Sequence, residues 1–102
     1  MRAQVLIEDT GVYLYTHWGS ESLLETVKEA VRDGRRLNDP EYFTRILFEK
    51  MIDAEDARGS ETGFGIGTSE HSDLEYPAIK VDLERGIIEY ASESNLISFG
   101  DL

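Results

Sequence analysis

The 102 residues hold 21 Asp and Glu against 10 Lys and Arg, a net charge of −11, and no cysteine. A chain of this length predicts a single domain, 1–102, without a disulfide framework, a thiolate nucleophile or a cysteine-based zinc site. The negative field repels phosphates, which argues against direct nucleic-acid binding, and no apolar run reaches membrane-spanning length.

The first element predicted is a β-hairpin. Residues 3–8 (AQVLIE) and 11–18 (GVYLYTHW) are rich in β-branched, aliphatic and aromatic side chains, with turn chemistry in Asp9, Thr10 and Gly11 between them. After Gly19, Ser22 and Glu25 have the spacing of a capping box, which opens a helix over 22–33. Leu23, Leu24, Val27, Ala30 and Val31 recur at helical spacing, and Gly34 supplies a left-handed stop. Asp39-Pro40 then starts a second helix, 39–54, with Asp39 as cap and Pro40 in the first turn. Its apolar stripe is Phe43, Ile46, Leu47, Met51 and Ala54.

Periodicity vanishes over 55–62, a loop. Strands are predicted at 63–68 (GFGIGT), 78–83 (AIKVDL) and 87–91 (IIEYA), the last two joined as a hairpin around Glu84-Arg85-Gly86. The tail ESNLISFGDL offers Leu96, Ile97 and Phe99 for docking but no clear period. The expected fold is α+β: a five-stranded antiparallel sheet in ββααβββ order with two helices on one face. Two short-looped antiparallel helices return the chain to the end of the sheet that it left, so strand three should run antiparallel to strand two if the two are neighbours.

Three readings compete for the charge. Acids in every segment, with only Lys28, Lys50 and Lys80 as lysines, match the surfaces of halophilic proteins. The acids can instead mimic a phosphate backbone in an inhibitor of a host protein, or simply keep the chain soluble. The opening MRAQVLIEDTG lacks a signal peptide's apolar run, so the expected location is cytoplasmic, in the host cell if the protein is viral.

Tyr-Thr-His-Trp at 15–18, DPEYFTRILF at 39–48 and TGFGIGTS at 62–69 together resemble a set of short proteins of phages, prophages and archaea. The resemblance covers residues 12 to about 83. It implies a small viral or mobile-element protein and carries no activity, cofactor or catalytic residue with it.

Strand alternation places Val12, Leu14 and Thr16 on one face and Tyr13, Tyr15 and His17 on the other. Phe64, Ile66 and Thr68 likewise separate from Gly63, Gly65 and Gly67. With Val12, Leu14, Phe64 and Ile66 under the helices, the tyrosines and His17 stand beside a glycine strip on the open face. Glycine lets a flat ligand or another backbone approach closely, and tyrosines can wall such a floor. The same geometry also serves plain packing, with tyrosines covering the glycines. This GxGxG run is no dinucleotide fingerprint, because no helix follows it.

The expected function is a small acidic binding module whose ligand site is Tyr13, Tyr15, His17, Gly63, Gly65 and Gly67. Its partner is an unidentified small molecule or protein, or a second copy in a homodimer. No cofactor is expected. The alternative is the nucleic-acid-mimicking inhibitor, and behind it a small enzyme with His17 as base and Arg45 as anion clamp. Helical spacing favours a pairing of Arg45 with Glu41 or Glu49 instead. The loop Glu70-His71-Ser72-Asp73-Leu74-Glu75 lacks calcium-hand spacing, and His71 has no second histidine at metal spacing, so no metal site is expected.

Overall fold

A computed structural model of the chain describes residues 3–17, 22–55, 59, 63–70, 78–90 and 95–102. Its elements are β1 (Ala3–Ile7), β2 (Val12–Thr16), α1 (Leu23–Asp33), α2 (Pro40–Ala54), β3 (Phe64–Gly67), β4 (Ile79–Asp82), β5 (Ile87–Tyr90) and β6 (Asn95–Ser98), with a closing 3-10 turn at Phe99–Asp101. The class is α+β with two helices, as the periodicities predict.

The sheet departs from expectation in two respects. It has six strands rather than five, in the order β3-β2-β1-β4-β5-β6, and it is mixed rather than purely antiparallel, because β1 and β4 run parallel. After β3 the chain crosses to the far side of β1, where β4 enters in the same direction as β1. The sixth strand is the tail, whose Ile97 pairs with Ile88 and packs against the core while Leu96 remains 55% exposed.

The first hairpin closes as its turn residues dictate. Gly11 takes a φ of 73° and donates to the Ile7 carbonyl at 2.9 Å. The Asp9 side chain reaches sideways, and its two oxygens accept from the backbone N–H groups of Leu83 at 2.8 Å and Glu84 at 3.1 Å. With the Glu8 N–H donating to Val81 at 2.9 Å, this locks β1 beside the parallel β4.

The core lies between one sheet face and both helices. Val5, Ile7, Leu14, Val81 and Ile88 are fully buried beneath Leu23, Val27, Ala30 and Val31 of α1 and Phe43, Leu47 and Met51 of α2. A side chain of this kind contributes roughly 1.5–3 kcal/mol on burial, so this layer holds the helices to the sheet. Ile66 corrects the expected core: it is on the helix side of the sheet but 66% exposed, because α2 covers the edge strand only at its Phe64 end. Phe64 is covered in part, its ring edge-on to Phe48 at 6.3 Å.

The helix ends also differ from the capping rules. Gly34 stops α1 at φ 68° as expected. The Ser22–Glu25 capping box is not made: Ser22 sits in the right-handed region and its hydroxyl donates to Glu55 Oε1 at 3.4 Å, while Glu25 pairs with Lys28 at 3.3 Å. Asp39 makes no side-chain cap either, and Pro40 alone marks the start of α2. Lys50 on α2 meets Asp33 at 2.6 Å and, by that contact first, holds its carboxyl below the usual range. Arg36, with a left-handed φ of 59°, lays its guanidinium 5.1 Å from the Tyr42 ring centre.

Candidate functional site on the helix-free sheet face

The sheet face away from the helices is built by register. Tyr13 stands opposite Gly67 and Tyr15 opposite Gly65 in the antiparallel β2–β3 pair. His17 and Gly63 continue the ladder just past the strand ends, where the His17 N–H donates to the Gly63 carbonyl at 2.8 Å. The two trios that alternation predicts are therefore neighbours on one face. Gly63 has a more local task, since its φ of 96° makes the bend into β3 that a side chain would resist.

The glycine strip is unequally covered. Tyr15 leans over it: a Cβ added to Gly65 would stand 3.9 Å from Tyr15 Cδ1. At Gly67 nothing comes within 4 Å of such an atom, so the bare floor lies there, beside Tyr13. Both tyrosines are half-buried and His17 is exposed. The Tyr15 and His17 rings meet edge to face at 5.1 Å, which holds the imidazole beside the aromatic wall. Farther in, Gln4, opposite Tyr15 in the β1–β2 ladder, is only 2% exposed on this same face.

The other half of the face is charged, which strand-by-strand reading misses. Alternation along β1, β4 and β5 puts Glu8, Lys80, Asp82 and Glu89 on this side, but their adjacency depends on the parallel β1–β4 pairing. Lys80 lies between Leu6 and Glu89 in the ladder. Partial burial, then the neighbouring Asp82 carboxylate, raise the Glu8 carboxyl above its ordinary 4.5; Lys80 opposes this and Glu89 adds to it.

Arg45 is not part of this face. It projects from α2, 75% exposed, and pairs with Glu49 at 3.4 Å, the helical partnership that its spacing predicts. No cluster of His17, Arg45 and a carboxylate forms among the described residues. Trp18 and His71 lie outside them. On the helix side, a small cavity between Thr16, Thr26, Met51 and Phe64 has a volume of about 10 Å³, room for about one water molecule. Among the described residues no group of three or more His, Asp or Glu is placed to hold a metal ion, and no helix is long and apolar enough to cross a membrane.

No family model matches this chain, and neither the curated proteins nor the solved structures yield a match.

Proposed function

We propose that the chain is a small acidic binding module, and that Tyr13, Tyr15 and His17 with Gly63, Gly65 and Gly67 take a flat guest on the helix-free face. The observation that carries this reading is the register of Tyr13 on Gly67 and Tyr15 on Gly65, with open space above Gly67. A tyrosine ring beside a strand face that carries only glycines offers a stacking surface for a planar molecule. With −11 charges around it, the guest is neutral or cationic rather than a free phosphate.

The test is a tyrosine-fluorescence titration with three planar probes: adenosine, an acridinium cation and adenosine monophosphate. Gly67→Val fills the floor while suiting a strand, and a Cβ there meets no atom within 4 Å, so the variant should fold. Adenosine or acridinium should quench the natural protein and not the variant, with the monophosphate the weakest of the three. Equal responses from protein and variant, or none from either, would overturn the proposal.

A further inference from the structure

Beyond the aromatic face lies the edge that borders it. In the β2–β3 ladder the His17–Gly63 hydrogen bond sets the alternation, so Tyr15–Gly65 and Tyr13–Gly67 are the hydrogen-bonded pairs. The N–H and C=O of Ile66 therefore point away from β2, out of the sheet. Among the described residues no strand lies beyond β3, and its Ile66 side chain is 66% exposed. The strand carries none of the usual guards of an edge: no charge, no proline, no bulge.

Charge decides which partner this edge admits. In a chain with 31 charged residues, 21 acids and 10 bases, the stretches 10–20 and 62–69 contain no Asp, Glu, Lys or Arg. They include the whole of β2 and β3. At the opposite edge, β6 is uncharged too, but it abuts Glu89 of β5, whereas β3 abuts the uncharged β2; the flanking acids, Asp101 past β6 and Glu61 and Glu70 around β3, lie three residues from each strand. The β2–β3 panel is thus where another strongly acidic molecule can come close with carboxylates meeting only at the ends of the seam, where Glu61 and Glu70 flank the uncharged stretch.

We infer that β3 pairs antiparallel with β3 of a second copy, forming a two-fold symmetric dimer with a continuous twelve-stranded sheet. A two-fold axis perpendicular to the sheet makes edge strands antiparallel and keeps each face on its own side. Centred on Ile66, it sets Ile66 against its counterpart, covering both, and Gly65 against Gly67 of the other copy. On the helix-free face the two glycine strips merge into one floor. Three strand spacings, about 14 Å, then separate the two tyrosine-bearing strands. The dimer stands on the edge geometry and the charge pattern, so it can hold whether or not the face binds a planar guest.

Sedimentation velocity over a protein and potassium chloride series tests the pairing. The natural chain, 11.5 kDa as a monomer, should sediment as a dimer, with the association tightening as salt screens the net charge. Ile66→Lys puts two ammonium groups together at the axis and should leave monomers, while Leu96→Lys on the opposite edge should stay dimeric. Circular dichroism checks that both exposed-site variants fold. A natural chain that is monomeric throughout, or a dimer broken by Leu96→Lys and untouched by Ile66→Lys, would overturn the inference. So would a dimer seen only with an added basic polypeptide.

Discussion

Replacing Asp9 with Ala should loosen the join between the two halves of the sheet. Its carboxylate accepts from Leu83 N at 2.8 Å and Glu84 N at 3.1 Å, tying the first turn to the β4–β5 turn. A hydrogen bond to a charged acceptor contributes about 1.5–3 kcal/mol, but these are exposed, and water takes over part of each when the carboxylate is gone. About 1–2 kcal/mol in total should remain, roughly 5–10 °C in Tm for a chain of this size. Asp9→Asn retains one acceptor oxygen and should fall about midway. Urea unfolding followed by circular dichroism measures the loss. An Asp9→Ala variant within about 0.3 kcal/mol of the natural protein would refute the role given to this carboxylate.

Two further outcomes follow from the charges. A carboxyl whose pKa is raised by folding binds its proton more tightly in the folded chain, so its penalty is absent below the unfolded value and grows as pH rises through the folded one. Glu8 is such a group, and Glu8→Gln should stabilise the protein at pH 7 by roughly a few tenths of a kcal/mol, given solvent screening, with the gain fading towards pH 4. A gain that persists unchanged at low pH would count against this assignment. Screening of the −11 charge should raise Tm by at least about 5 °C between dilute buffer and molar potassium chloride; a flat series would reject salt adaptation as the reason for the acidity.

Local chemistry made much of this fold legible. Gly11, Gly34, Pro40 and the apolar spacings located the first hairpin and both helices to within about a residue or two. The two-residue period of β2 and β3 separated Leu14 from Tyr13 and Tyr15 correctly, and the returning helix pair made the two strands antiparallel. What escaped was set by distant partners. The parallel β1–β4 pairing depends on where the chain crosses after β3, which no local period records. Strand β6 reads poorly because Asn95, Leu96, Ile97 and Ser98 do not alternate cleanly between apolar and polar. The Ser22 cap failed because a carboxylate 33 residues away, on Glu55, takes its hydroxyl. On the candidate face, alternation put the tyrosines and the glycines on one side; that Tyr15 covers Gly65 and leaves Gly67 bare follows only from the folded chain.

Amide NMR mapping locates the guest proposed to settle on the glycine floor beside Tyr13. Titration with adenosine or an acridinium cation should move the Tyr13, Tyr15, Gly65 and Gly67 amide signals first, leaving those of Phe43 and Leu47 in place. Shifts centred instead on Arg35 and Arg36, or on the cavity beside Thr26 and Met51, would contradict it.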